Sequence, residues 1–320
     1  MTLTELRYIV ALARERHFAR AAAACFVSQP TLSVAVKRLE EELGLPLFER
    51  GTGEVALTPV GAQVVAQAQR VLEQAAAIPE IARAGKDPLS GPLRLGAIYT
   101  IAPYLLPRLV PHMVRRYPRM PLVLEEGYTH VLLERLRQGE IDAALIALPY
   151  SEPGLTEIAL FDEPFVVALP ASHAWTKSRA IDPALLREQT MLMLGAGHCL
   201  RDQVLEFCPE AGRFQSGSDG IRRTFEGTSL ETLRQMVASG LGITVIPASA
   251  APQAARRGDL VAYRPFASPA PSRRVVLACR RSYARMAAIE ALAAIVRDCG
   301  LPGVKMLPAA RAPRSQAAHP

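Results

Sequence analysis

The sequence predicts a multidomain α and α/β protein. Three observations carry this: capped amphipathic helices in the first sixty residues, one long helical run after Thr58, and strands alternating with helices from Leu93 onward. At 320 residues, half of them hydrophobic, the chain is long enough for two domains or more, each with its own core.

Thr2-Leu3-Thr4-Glu5 fits a capping box with Thr2 as N-cap, and Leu3, Leu6, Val10 and Ala13 follow at helical spacing. A second short helix is expected from Phe18 to Cys25, with Phe26-Val27 as the turn. Ser28 is a good N-cap for a third helix, Pro30 is tolerated in its first turn, and Gly44 closes it. Leu32, Val36, Leu39 and Leu43 give that helix an inner apolar stripe. Short apolar strands at Leu47–Glu49 and Val55–Leu57 flank Arg50-Gly51-Thr52-Gly53, which reads as a hairpin wing. This order is that of a winged helix-turn-helix over residues 1–58, whose second paired helix lies in the DNA major groove. Its outward set is Gln29, Thr31, Ser33, Val34, Lys37 and Arg38. Gln29 suits a base edge, Thr31 and Ser33 suit bases or phosphates, and Lys37, Arg38 and the wing's Arg50 suit phosphates. Ser28 and Pro30 complete the candidate DNA-binding set. A mere packing module would not explain why this face is hydroxylic and basic while acids gather at Glu40–Glu42.

From Thr58-Pro59 a helix is expected to run to about Ala84, with Val60, Val64, Val71, Ala75 and Ile78 along one side. A helix of that length with a narrow apolar seam needs a partner, most simply its own copy, so residues 59–90 are read as a dimerising linker helix and hinge. Gly85 to Pro92 has loop composition. Beyond it come strands at Leu93–Ile98, Leu122–Glu125, Ala143–Leu148, Pro164–Leu169, Met191–Leu194, Ile243–Ile246, Val261–Tyr263 and Val275–Ala278. Helices near Tyr104–Tyr117, His130–Gln138, Ser229–Ser239 and Ala284–Arg297 separate them. That alternation argues mostly parallel sheets over residues 91–300. The expected split is a lobe of about 91–162 with 268–300 and another of about 163–267. Residues 301–320, rich in Pro, Ala and Arg, read as a disordered tail.

The net charge of +7 permits an anionic partner without naming one, because acids and bases balance in the first sixty residues. No charged start followed by an apolar stretch, and no long apolar run, appears, so a cytoplasmic protein without a membrane span is expected. Five scattered cysteines, Cys25, Cys199, Cys208, Cys279 and Cys299, lack metal-ligand spacing, and no cofactor is implied.

The N-terminal text resembles the LysR-type transcriptional regulators. The carriers are Phe18-Ala19-Arg20-Ala21-Ala22, Val27-Ser28-Gln29-Pro30-Thr31-Leu32-Ser33, Lys37-Arg38-Leu39-Glu40, Leu47-Phe48-Glu49-Arg50 and Leu57-Thr58-Pro59. The resemblance implies promoter DNA as partner, dimerisation through the linker helix, a tetramer, RNA polymerase contact, and a two-lobed periplasmic-binding-protein-like regulatory domain. Activator and repressor roles are both open.

Gly197-His198-Cys199-Leu200-Arg201, followed by Cys208, is the most chemically suggestive stretch. A free thiol is only about 3% thiolate at neutral pH, and a neighbouring His, Arg and helix start raise that fraction. A thiolate attacks peroxide to give a sulfenic acid, which a second thiol resolves to a disulfide. If 199–208 were one helix, the two Cα atoms would stand about 13.5 Å apart, whereas a disulfide needs roughly 4.4–6.8 Å. The other reading is that two buried small apolar residues happen to be cysteines.

The same stretch, with Phe161-Asp162-Glu163-Pro164, Pro103-Tyr104-Leu105-Leu106-Pro107, Thr129-His130 and Thr228-Ser229-Leu230-Glu231, is similar to the peroxide-sensing branch of the family. That similarity implies Cys199 as peroxidatic and Cys208 as resolving thiol. It also implies that Thr100, Thr129 and His198 orient peroxide, that Arg274 or its neighbour Arg273 stabilises the thiolate, and that glutaredoxin or thioredoxin resets the switch. A regulator answering a small metabolite between the lobes, with the cysteines incidental, is the alternative; a thiol peroxidase would leave the helix-turn-helix unexplained. The polar stretch Gly212–Arg223 is longer than expected for the branch, and Cys25, Cys279 and Cys299 are read as structural.

Overall fold

A computed structural model describes residues 1–49, 55–84, 87–150, 152–209, 225–227, 229–252 and 258–309. The expected wing with Arg50, residues 85–86 of the hinge, the stretch Gly212–Arg223, Thr228 and the tail beyond residue 309 lie outside the described residues. The chain divides into two compact units between the long helix and Asp87.

In the first unit, local caps fix each helix. Helix α1 (Leu3–Glu15) opens on the expected box: Glu5 N–H donates to Thr2 Oγ1 at 3.2 Å and Thr2 N–H to Glu5 Oε2 at 2.7 Å. Helix α2 (Phe18–Ala24) is capped by His17, whose Nδ1 accepts from Ala19 N–H, and ends at Cys25. Helix α3 (Gln29–Leu43) starts at Ser28, whose Oγ accepts from Thr31 N–H at 3.3 Å, and stops at Gly44 in the left-handed region, φ 71°. Ile9, Leu12, Ala21, Leu32, Val36 and Leu39 form a common core. Glu40, one of the three clustered acids, anchors the first strand of the hairpin: its Oε1 accepts from Leu47 and Phe48 N–H at 2.7 and 3.1 Å. Strands β1 (Phe48–Glu49) and β2 (Ala56–Leu57) pair antiparallel beside it.

Helix α4 (Pro59–Ala84) begins where Thr58 Oγ1 accepts from Gly61 N–H at 2.9 Å and donates to Pro46 O at 3.0 Å. Its Val64, Val65, Ala68 and Leu72 pack on the N-terminal core, while Val60, Val71 and Ile78 are exposed. The expected seam is therefore corrected: Val64 turns inward, because the first half of α4 closes the small N-terminal core.

The second unit is built on one mixed sheet. Strands β3 (Leu93–Ile98), β4 (Leu122–Gly127), β5 (Ala143–Ala147), β6 (Leu155–Pro170), β10 (Val261–Pro265) and β11 (Ser272–Arg280) lie in the order β10-β6-β11-β5-β3-β4. Strands β9 (Thr244–Pro247) and β12 (Lys305–Met306) also pair with β6. The expectation of mostly parallel sheets is overturned. Among the described residues parallel ladders join β3 to β4 and β5, and β7 (Leu192–Leu194) to β8 (Phe225–Gly227), whereas β6 and β11 make antiparallel pairs throughout. The reason is β6 itself, one sixteen-residue strand shared by two cores, of which only the second half reads as a strand in the sequence. Likewise the expected tail is shortened: apolar Val304 and Met306 pack on the core around Phe161 and β12 adds to β6.

The cores meet at β6. Phe161 belongs to one, with Leu95, Leu105, Leu145, Leu277 and Leu292. Phe165 belongs to the other, with Leu169, Leu192, Val204, Leu233 and Ile246. Helices α5 (Ala102–Arg116), α6 (Thr129–Gln138) and α9 (Met286–Asp298) bury residues in the first core. Helices α7 (Cys199–Phe207) and α8 (Leu230–Ala238) do so in the second.

Gly61 offers a direct check of the α4 junction. A Cβ there would collide with the Leu47 carbonyl, so Gly61→Ala is expected to destabilise the N-terminal unit by about 1–3 kcal/mol or more, as overpacking against backbone does. Urea unfolding followed on the isolated substitution would contradict this if the midpoint did not move.

Candidate functional site

Three chain turns converge on one small cavity. Strands β3 and β4 are parallel and end level, Ile98 opposite Gly127. After β3 the chain turns through Tyr99 and Thr100 into α5; after β4 it turns through Tyr128 into α6, whose first residue is Thr129. From the second core, β7 leads through residues 195–197 to His198, the N-cap of α7, and Cys199 is that helix's first residue. Turns at the carboxyl ends of parallel strands are where α/β proteins place ligand sites. Here they enclose about 10 Å³, lined by Thr100, Thr129, His198 and Cys199 together with Tyr99 and Tyr128.

The polar wall is fixed by a buried ion pair. Arg273 and Glu163 have fully buried side chains, with Arg273 Nη2 2.8 Å and Nε 2.9 Å from Glu163 Oε2. Arg273 also donates from Nη1 to Thr100 Oγ1 at 2.8 Å and from Nη2 to the Thr100 carbonyl at 3.0 Å. Glu163 Oε1 accepts from Ser249 N–H at 3.0 Å. A guanidinium has donors only, so Thr100 Oγ1 must accept, which leaves its own hydroxyl hydrogen to be donated elsewhere. Thr129 Oγ1 is buried and has no hydrogen-bond partner among the described residues, so it can serve a small polar guest.

The thiol sits at the other wall. Cys199 is half-buried, packs against the first core, and occupies the first turn of α7, where free N–H groups and the helix dipole favour an anion. His198 is buried, with its ring 4.8 Å from Tyr128 and 5.8 Å from Tyr99. Arg201 donates to the Leu194 carbonyl at 3.1 Å. Cys208 ends α7 as its C-cap and lies in the second core, 2% exposed. Both cysteines are free thiols, set in different cores at opposite ends of one helix.

The structure thus brings Thr100, Thr129, His198 and Cys199 together and leaves Cys208 apart. It does not bring Arg274. Side chains alternate along β11, so Arg273 faces inward and Arg274 outward, where it pairs with Asp162 at 2.7 Å and holds that carboxyl below its usual range. The candidate position is therefore corrected to Arg273, which meets Thr100. Sequence reading also passed over Tyr99 and Tyr128; two tyrosines in separate turns leave no pattern until the strand ends are aligned. A groove of about 830 Å³ elsewhere in this unit is lined by Tyr104, Arg108, Glu231 and Arg234 but by no cysteine, and its Tyr104 and Arg234 both bind Glu231. Among the described residues no group of three or more His, Cys, Asp or Glu is placed to hold a metal.

On α3 and its cap, Ser28, Gln29, Pro30, Thr31, Val34, Lys37 and Arg38 are exposed and Ser33 is half-buried. Lys37 pairs with Glu41 at 3.6 Å, both exposed. These positions present one continuous outer face of the helix.

Residues 3–62 match the pattern of the bacterial regulatory helix-turn-helix protein, lysR family, and residues 86–299 that of the LysR substrate binding domain. The chain belongs to the LysR family of bacterial regulators. Over 93% of its length it is 41% identical to the DNA-binding transcriptional dual regulator OxyR of Escherichia coli (strain K12), covering 95% of that protein. Full-length OxyR from Pseudomonas aeruginosa, solved with a cysteine-to-aspartate substitution, superposes with a TM-score of 0.70 at 53% identity, over 94% of this chain and 96% of that one. An OxyR variant from Corynebacterium glutamicum, solved with hydrogen peroxide bound, superposes with a TM-score of 0.61 at 35% identity, over 93% and 92%. The two-lobed, periplasmic-binding-protein-like reading of the second unit accords with these matches.

Cys279 and Cys299 differ sharply from Cys199 in setting. Cys279 is fully buried, 3.8 Å from Met286 Sδ, and burial pushes its thiol up to about 11; Cys299 is buried, donates to Val296 O, and is raised for the same reason. At about pH 8 only roughly a thousandth of Cys279 is thiolate. Iodoacetamide should therefore modify Cys199 in the folded protein well before Cys279 or Cys299, with that order lost in urea. Equal labelling of Cys279 in the folded state would contradict the assignment.

Proposed function

We propose that this chain is a transcriptional regulator that senses hydrogen peroxide through Cys199 and Cys208 and controls oxidative-stress defence genes. The observation that carries it is the convergence of Thr100, Thr129, His198 and Cys199 on a cavity the size of a water molecule. Metabolite pockets are commonly about 300–1,000 Å³, far larger than this one. Relatives named as hydrogen peroxide-inducible genes activators, at 41–45% identity, support the same reading.

The chemistry balances with peroxide alone. The Cys199 thiolate attacks one peroxide oxygen, the O–O bond breaks, and hydroxide leaves, taking a proton to become water; Cys199 becomes a sulfenic acid. Thr100, whose oxygen already accepts from Arg273, donates its hydrogen toward the oxidant, Thr129 offers a second hydroxyl, and His198 passes the proton to the leaving oxygen. The Cys208 thiolate then attacks the sulfenic sulfur and expels a second hydroxide, so two thiols and one peroxide give a disulfide and two waters. A dithiol reductant of the glutaredoxin or thioredoxin type returns the two electrons.

The second step demands refolding. Nine helical rises separate the two cysteines by about 13.5 Å, and a disulfide allows roughly 4.4–6.8 Å. Helix α7 must unwind, and Cys208 must leave the second core. In this reading residues 1–58 bind promoter DNA through Ser28, Gln29, Pro30, Thr31, Ser33, Val34, Lys37, Arg38 and the wing's Arg50. Residues 59–90 pair two copies through the exposed Val60, Val71 and Ile78, and residues 91–300 sense. Lobes of about 91–162 with 268–300 and of about 163–267, a tetramer, contact with RNA polymerase and a cytoplasmic setting complete the proposal. Among the described residues no helix is long and apolar enough to cross a membrane.

Promoter footprinting over a peroxide titration tests the switch. Cys199→Ser should lose the peroxide-dependent change, and Cys208→Ser should accumulate sulfenic acid without the disulfide; a full response from Cys199→Ser would sink the proposal. On the DNA side, Gln29→Ala should cost about 1–3 kcal/mol of discrimination at the base it reads. Lys37→Ala should weaken all sequences alike and flatten the salt dependence. A Gln29→Ala protein with unaltered base preference would remove that residue from the reading set.

A further inference from the structure

Three rings, Tyr99, Tyr128 and His198, line the small cavity, and a fourth, His130, backs Tyr128. Tyr128 lies edge-on to Tyr99 with centroids 5.3 Å apart and edge-on to His198 at 4.8 Å, and it stacks on His130 at 5.7 Å with planes 15° apart. The backbone closes the fourth side. Gly197 has φ 95°, and a Cβ placed there would stand 3.3 Å from the Tyr128 ring, so the ring already rests against bare backbone. Tyr128 therefore has little freedom to swing. Tyr99, 39% exposed, is the solvent-facing ring of those that line the cavity, and His130 is exposed behind Tyr128.

The geometry points to Tyr99 and Tyr128 as a steric filter that admits hydrogen peroxide to Cys199 and holds back alkyl and aryl hydroperoxides. This rests on the sensing role proposed for Cys199. A void needs about 10–15 Å³ to hold one water, which is what this cavity offers. Hydrogen peroxide adds one oxygen to that, a difference that a small outward shift of half-exposed Tyr99 supplies. With a hydroperoxide ROOH the thiolate takes the terminal OH and RO⁻ leaves, to be protonated to the alcohol, so the R group must lie beyond the oxygen pair as attack occurs. For R as bulky as tert-butyl or cumyl, that space is filled by the tyrosine rings. Making room means parting Tyr128 from His198, His130 and the Gly197 backbone together. Thr100 and Thr129 accommodate oxygens and neither can yield, because Arg273 pins the first and α6 carries the second. The rings therefore act on what reaches the thiol, without touching the atoms that react, and are specificity-determining residues.

The test uses the full-length reduced protein with Cys208→Ser, so that sulfenic acid at Cys199 persists, trapped with dimedone and quantified by mass spectrometry. Rates with hydrogen peroxide, tert-butyl hydroperoxide and cumene hydroperoxide are compared in otherwise unaltered, Tyr128→Ala, Tyr128→Phe and Tyr99→Ala proteins. The expected result is a strong preference for hydrogen peroxide that falls by about tenfold or more in Tyr128→Ala. The fall should come through a faster reaction with cumene hydroperoxide, and Tyr128→Phe should keep the preference. Because Tyr99 is partly exposed, Tyr99→Ala serves as a second opening should Tyr128→Ala fold poorly. Preference ratios that stay unchanged in Tyr99→Ala and folded Tyr128→Ala would overturn the filter while leaving the sensor intact. Failure of Cys199 to react with any of the three peroxides would overturn the sensor and the filter with it.

Discussion

The Glu163–Arg273 pair is the constraint on which the regulatory unit turns. The two residues face each other across β6 and β11, just where β6 passes from Phe161 in one core to Phe165 in the other. Two charges taken out of water are tolerated only when every strong valence is met, and removing one partner of such a pair typically costs about 3–5 kcal/mol. Here the guanidinium is spent on Glu163 and on the hydroxyl and carbonyl of Thr100, and the spare carboxylate oxygen takes Ser249 N–H. Moving the turn after β3 or the turn after β9 would strip a buried charged group of hydrogen bonds. The polar wall of the cavity is therefore rigid for a reason lying outside the cavity.

The thiol wall obeys a different physics. Helix α7 has nine residues, shorter than the roughly 12–15 at which isolated helices become even marginal in water, so tertiary packing supplies its stability. That packing is divided. Leu200, Val204 and Cys208 are buried in the second core, whereas Cys199 touches the first. Apolar contacts lack direction and can be exchanged for others, unlike the saturated ion pair opposite. A site with one fixed wall and one replaceable wall can react at the fixed side and rearrange at the other. Joining Cys199 to Cys208 would draw both ends of α7 out of their separate cores, a change no local adjustment absorbs.

The sequence was most legible where local chemistry decides structure. Thr2 with Glu5, Ser28 with Thr31, and Gly44 each act within a few residues, and each cap stands where its chemistry placed it. The text around Cys199 was legible for the same reason, since nucleophile, histidine and helix start are neighbours in the chain. What stayed hidden depends on partners far along the chain. Arg273 and Arg274 are adjacent, and only strand parity, which shows once β6 is seen alongside, tells the buried one from the exposed one. The first half of β6 escaped notice because Leu155–Phe161 lacks a clean apolar–polar alternation, most of its residues being half-buried rather than buried and exposed by turns. Glu40 reads as one acid among three until the strand that it caps is in place. Tyr99 and Tyr128 gain meaning only from the level ends of β3 and β4.

Under the proposed function, regulation reaches DNA without passing through the residues assigned to read it. The outward face of α3 belongs to a unit that contains neither cysteine of the thiol site nor the ion pair that braces it. Its own resources are modest: Lys37 is already paired with Glu41, and the exposed set includes uncharged Val34 and Pro30 beside Gln29 and Thr31. A single reading head so equipped can make few phosphate contacts, and few contacts mean weak binding. Two heads held at a fixed separation gain affinity through effective concentration, and lose it when the separation no longer matches the half-sites. For a chain built this way, the economical signal is a change of spacing. Val71 and Ile78 are one heptad apart on α4 and exposed, so in the proposed dimer the helix that leaves the reading head would also carry the apolar seam that sets that spacing.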